Sequence, residues 1–67
     1  MKLSTRNQIS GQVTAVKLGG IMAESTVDIG GQELVAAITR ESAENLELAA
    51  GDTVTVLIKA TEVMLGK

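Results

Sequence analysis

Residues 21–39 read Ile21-Met22-Ala23-Glu24-Ser25-Thr26-Val27-Asp28-Ile29, then Gly30-Gly31, then Gln32-Glu33-Leu34-Val35-Ala36-Ala37-Ile38-Thr39. Ile21, Ala23, Ser25, Val27 and Ile29 share one parity, and Met22, Glu24, Thr26 and Asp28 the other. Successive side chains of a strand point to opposite faces, so this is a strand with one mainly apolar face. Leu34, Ala36 and Ile38 repeat the pattern after the glycines. Gly30-Gly31 tolerates positive φ at both positions, which suits a tight hairpin. The stretch predicts two antiparallel strands joined by a short turn.

The rest of the chain is organised around that hairpin. Upstream, Ile9, Gly11, Val13 and Ala15 share one face, and then Val16 and Leu18 fall on the other. A one-residue phase slip near Ala15-Val16 predicts a bulge or sharp bend. Gly19-Gly20 reads as the turn back. Downstream, Arg40 to Leu48 loses the alternation. Ala43 and Leu46 lie three apart among polar residues, which predicts a short helix with Thr39 as N-cap and Glu41 in the first turn. Gly51-Asp52 marks a turn, and Thr53 to Lys59 alternates again through Val54, Val56 and Ile58. The segment from Thr61 to Leu65 reads as a short strand or one helical turn, with Thr61 in the N-cap position before Glu62. This order predicts an all-β domain with one short helix, an OB-like five-stranded barrel formed by residues 1–67 as a single unit.

Such a chain has a thin core. Sixty-seven residues bury only about 60% of their unfolded surface, and there is no Phe, Tyr or Trp. Small domains usually need disulfides, a metal or oligomerisation. Without Cys or His, no disulfide, thiolate site or imidazole site is available. Oligomerisation remains. The missing His also removes the commonest general base and every Ser/His or Cys/His pair. Glu41, Glu44 and Glu47, like Glu24, Asp28 and Glu33, read as solvated carboxylates. The expectation is a protein that is not an enzyme and uses no cofactor.

Six basic residues stand against eight acidic, a net charge of −2. Nucleic-acid binders normally carry a basic face, and single-strand binders stack bases on aromatics, so no nucleic-acid partner is expected. No apolar run is long enough for a membrane-spanning helix. The start, Met1 to Arg6, lacks a signal-peptide apolar region, which points to a cytoplasmic location.

Two polar clusters flank the apolar strands: Ser4-Thr5-Arg6-Asn7-Gln8, and Lys59-Ala60-Thr61. Both carry hydroxyl, amide or cationic donors, and neither contains a carboxylate. Donors without carboxylate acceptors are what a fully deprotonated oxyanion requires, and backbone N–H groups at a strand end would add to them. A frayed polar terminus and a solvated strand end would show the same residues.

The sequence Ser4-Thr5-Arg6-Asn7-Gln8-Ile9-Ser10-Gly11 resembles the opening signature of the molbindins, Ser-Ala-Arg-Asn-x-Leu-x-Gly. The resemblance continues through Ala37-Ile38-Thr39-Arg40-Glu41-Ser42, Leu48-Ala49-Ala50-Gly51-Asp52 and Val56-Leu57-Ile58-Lys59-Ala60-Thr61-Glu62-Val63-Met64. It implies a TOBE-type barrel that binds molybdate, and usually tungstate, for storage or homeostasis rather than catalysis. It also implies a homohexamer, a trimer of dimers with exchanged strands and anion sites at subunit interfaces. Carried over by motif, the oxyanion-binding residues are Ser4, Thr5, Arg6, Asn7, Lys59, Ala60 and Thr61, with Thr39 as a contributor. Molybdenum would enter as its oxyanion, with no direct side-chain ligand to the metal. Thr5 departs from the family's usual Ala, and Thr61 from its usual Ser. The alternatives are an OB-fold oligomerisation module and a binder of another oxyanion such as sulfate.

Overall fold

A computed structural model describes residues 5–67. Among these residues four strands are formed: β1 Asn7–Leu18, β2 Met22–Asp28, β3 Glu33–Thr39 and β4 Thr53–Ile58. One helix, α1 Arg40–Asn45, lies between β3 and β4, and a 3-10 turn spans Ala60–Glu62. All neighbours are antiparallel, in the sheet order β3-β2-β1-β4.

The β2–β3 hairpin forms as its sequence dictates. Gly30 and Gly31 take φ of 98° and 94°. The Asp28 carboxylate accepts from both their amides, at 3.1 and 2.9 Å, and closes the turn from inside. Ala23, Ser25 and Val27 are buried, and Leu34, Ala36 and Ile38 line the same side half-buried.

β1 bends the sheet. Its first half pairs with β4, from Asn7↔Ile58 to Gln12↔Thr53, and its second half pairs with β2, from Gln12↔Asp28 to Leu18↔Ala23. The register with β2 slips between Val13 and Ala15, leaving Thr14 as the extra residue. The expected phase change is present, one position earlier than the parity pattern placed it. Ala15 is exposed, and Val16 takes the inward position. The stagger and the bulge together curl four strands into a half-barrel. Gly11 sits where the curl is tightest. A Cβ built there would lie 2.5 Å from Val27 Cγ1 and 2.9 Å from the Asp28 carbonyl oxygen.

Thr39 caps α1 as expected, its Oγ1 accepting from the Ser42 amide at 3.1 Å. The helix stops at Asn45 rather than reaching Leu48. Leu48 N donates to Ala43 O and Glu47 N to Glu44 O, at 3.1 and 3.0 Å. Glu47 is left-handed at φ 51°. These two bonds form a Schellman motif, which satisfies the last carbonyls and turns the chain toward β4.

The expected fifth strand is not found among the described residues. Thr61 is also not a cap. It lies inside the 3-10 turn, and Lys59 holds the cap position without a side-chain bond. The Glu62 amide closes that turn on the Lys59 carbonyl at 2.9 Å, which ends β4 before the chain can pair again. Val63, Met64 and Leu65 then run on exposed, and among the described residues the outer edges of β3 and β4 stay open. Among the described residues the fully buried apolar set is only Val13, Ala23, Val27 and Ala43. The chain exposes 5373 Å², against about 4,000 Å² for a compact monomer of its size. Among the described residues no helix is long and apolar enough to cross a membrane.

Candidate functional site

The ladder between β1 and β4 ends at Asn7↔Ile58. One residue beyond this rung stand Arg6 on one chain segment and Lys59 on the other. Two sequence clusters some fifty residues apart are thereby brought face to face. Between them opens a shallow cleft of about 160 Å³, lined by Thr5, Arg6, Lys59, Ala60 and Thr61.

The cleft's chemistry follows from that lining. It has two cationic side chains, two hydroxyls and, at Ala60, backbone alone. Among the described residues no carboxylate lines it. Among the described residues the ion pair is Arg40–Glu44, on α1 and far from the cleft. Neither Arg6 nor Lys59 is therefore neutralised by a described carboxylate of its own chain. Two like charges held near one opening repel each other, and a dianion between them relieves that repulsion. This local field arises in a chain whose net charge is −2, because salt largely screens exposed carboxylates more than about 10 Å away.

Two amide side chains brace the walls. Asn7 Nδ2 donates to the Ile58 carbonyl at 3.1 Å, and Gln8 Nε2 donates to the Thr5 carbonyl at 2.8 Å. Asn7 thus sits beside the cleft with an amide hydrogen committed to β4, and it does not line the opening. Ser4 lies outside the described residues.

Thr39 is elsewhere. β3 runs in the direction of β1, so Thr39 ends up beside Met22 at the Leu18 end of the sheet, opposite the cleft. Its hydroxyl donates to Ser42 Oγ at 2.8 Å while accepting from the Ser42 amide. The sequence reading singles out Thr39 but not Ser42. The signal available for Ser42 is its position three residues after a capping threonine, where the two hydroxyls must meet. Among the described residues no cluster of three or more acidic, His or Cys side chains could hold a metal ion.

A curled antiparallel half-barrel with a cationic, carboxylate-free cleft at one end defines a small anion-binding β domain. The chain belongs to the TOBE-domain family, whose model matches residues 3–65. It is 41% identical over 66 residues to molybdenum-pterin-binding protein 3 of Clostridium pasteurianum, covering 97% of each chain. It is 47% identical over 66 residues to the molybdenum transport protein ModE of Azotobacter vinelandii, where it spans about a quarter of that longer protein (24%). The solved structure of a molybdate-binding protein from Sporomusa ovata superposes with a TM-score of 0.96, at 46% identity and over the full length of both chains. These relatives are named for binding or transport rather than for a reaction, and they bear out the molbindin resemblance.

Proposed function

We propose that this chain binds molybdate, or tungstate, in the cleft between the start of β1 and the end of β4, and serves in cytoplasmic storage or homeostasis of that oxyanion. The observation that carries the reading is the cleft's lining of Arg6, Lys59, Thr5 and Thr61, with no carboxylate among them. Charge-assisted hydrogen bonds from guanidinium and ammonium are the strong class for such a ligand. The hydroxyls of Thr5 and Thr61 and the backbone at Ala60 complete the donor set. Phosphate near neutral pH usually keeps a proton that needs an acceptor, whereas molybdate is fully deprotonated. Sulfate has molybdate's charge and shape, so it is rejected by size.

The site is shared between copies in this reading. Thr39 cannot join the cleft of its own chain, because β1 separates the two ends. It contributes from a neighbouring subunit of a homohexamer, a trimer of dimers. The open edges of β3 and β4, the exposed Val63-Met64-Leu65 segment and the excess surface support an assembled state. Neither a further cofactor nor a nucleic-acid or membrane partner belongs to this reading.

Native mass spectrometry with and without molybdate tests subunit number and anion count together. A hexamer that gains anions in fixed number is the expected result. A folded monomer would overturn the shared site. An oligomer that takes up sulfate as readily as molybdate at equal concentration would replace molybdate with a less selective oxyanion function.

A further inference from the structure

We infer that Asn7 is a positioning residue, one that sets the gap between Arg6 and Lys59 rather than a ligand of the anion. The inference rests on the oxyanion function proposed for the cleft. Asn7 and Ile58 form the last rung of the β1–β4 ladder. Among the described residues no main-chain pairing past that rung holds the two cleft walls together. The Asn7 amide supplies the missing tie, donating to the Ile58 carbonyl at 3.1 Å across fifty-one residues of sequence.

The geometry of the peptide unit gives this bond its reach. The Ile58 carbonyl and the Lys59 amide belong to one rigid plane. Fixing the Ile58 oxygen therefore fixes the orientation in which Lys59 leaves the strand. On the opposite wall the Arg6 carbonyl shares its plane with the Asn7 main-chain N–H, so the residue whose side chain holds Ile58 also anchors Arg6. Gln8 adds a second tie, its Nε2 holding the Thr5 carbonyl at 2.8 Å, in the peptide plane that carries the Arg6 amide. Arg6 is thus flanked by two side-chain braces, and Lys59 is reached by one of them. Asn7 is half-buried and absent from the cleft lining, as a brace behind the wall requires. An aspartate here would set a carboxylate against the Ile58 carbonyl and next to the anion.

The sequence contains two asparagines, Asn7 and Asn45. Protein labelled with ¹⁵N-asparagine gives two side-chain amide signals, with exposed Asn45 as internal reference. The expected result is slower water exchange at Asn7 than at Asn45 in anion-free protein, with protection and chemical shift nearly unchanged at saturating sodium molybdate. Asn7→Ala should weaken molybdate binding about tenfold by calorimetry, the loss of one hydrogen bond that orients charged donors. An Asn7 amide that exchanges as fast as Asn45 without anion would overturn the inference. So would a large shift with loss of protection on adding molybdate, which makes Asn7 a ligand, or unchanged affinity in Asn7→Ala. If the unsubstituted protein binds no molybdate, the proposed function fails. The brace is then judged on the anion-free exchange alone. Those exchange measurements need no variant, so a poorly folding Asn7→Ala leaves the inference testable.

Discussion

Replacing Lys59 with alanine separates the anion site from the fold. Lys59 is exposed, makes no cap bond to the turn it precedes, and follows the last residue of β4. Its removal takes away no buried apolar packing, so the anion-free variant should melt within about 0.5 kcal/mol of the original, as ordinary surface substitutions do. The liganded protein should behave differently. At molybdate a hundredfold above Kd, binding adds about 2.7 kcal/mol per site. Loss of a charge-assisted hydrogen bond costs about 1.5–3 kcal/mol, and a middle value of about 2 kcal/mol raises Kd roughly thirtyfold. The same molybdate concentration is then only about three times the new Kd, and the stabilisation falls to about 0.9 kcal/mol. For a domain of this size each kcal/mol moves Tm by about 4–8 °C. The molybdate-induced shift should therefore drop from more than about 10 °C to about 5 °C in a calorimetric melt. A shift of undiminished size in Lys59→Ala would place the anion elsewhere and refute the reasoning.

Three further outcomes are expected. Gly11→Ala should destabilise by about 1–3 kcal/mol through overpacking against Val27, read as a lower urea midpoint with an unchanged slope; a neutral result would mean the curl is looser than the 2.5 Å approach implies. Thr39→Ala should cost about 1 kcal/mol of stability through the lost cap and also weaken molybdate binding. Oligomers assembled from Thr39→Ala and Lys59→Ala subunits together should then recover some intact sites, since a shared site draws one residue from each copy; no recovery on mixing would confine the site to one chain. Calorimetric melts over a dilution series should show the thermal midpoint falling with protein concentration, as for a fold stabilised by its partners; a concentration-independent midpoint would count against assembly.

The parts of the fold legible in the sequence are those decided locally. Gly30-Gly31 announced its turn because both residues needed positive φ, and Thr39 announced a cap because the polar helix pattern began immediately after it. The slip in β1 was visible as a change of parity, but its position was one residue off. Ala15 is small and apolar enough to fit either face, so the pattern alone could not assign it. The fifth strand failed for a different reason. Val63 to Leu65 carry a strand-like composition, but Ala60 to Glu62 close a turn first, and strand pairing depends on an edge that sequence does not locate. The cleft divides along the same line. Thr5, Arg6, Lys59, Ala60 and Thr61 were readable as donors, while their meeting follows from the Asn7↔Ile58 register. The family resemblance assigns Thr39 to the same site. Only the direction of β3 reveals that it stands at the other end of its own sheet.

The bulge at Thr14 makes β1 sensitive to length in a way it is not sensitive to identity. Thr14 is exposed, and its hydroxyl reaches only the Thr26 carbonyl, at 3.3 Å. A serine or alanine in its place leaves every other side chain on its present face. Deleting the residue leaves them there too, but it removes the bend. Val13↔Val27 and Ala15↔Thr26 become consecutive rungs, and Val16 keeps its inward place opposite Ser25. The unpaired position that kinks the strand and deepens its local twist is gone. The half of β1 paired with β4 and the half paired with β2 then run on as one straighter strand. An amino-acid scan across β1 would pass over Thr14 as unremarkable, and a single-codon deletion there would open the curl with every side chain still on its face.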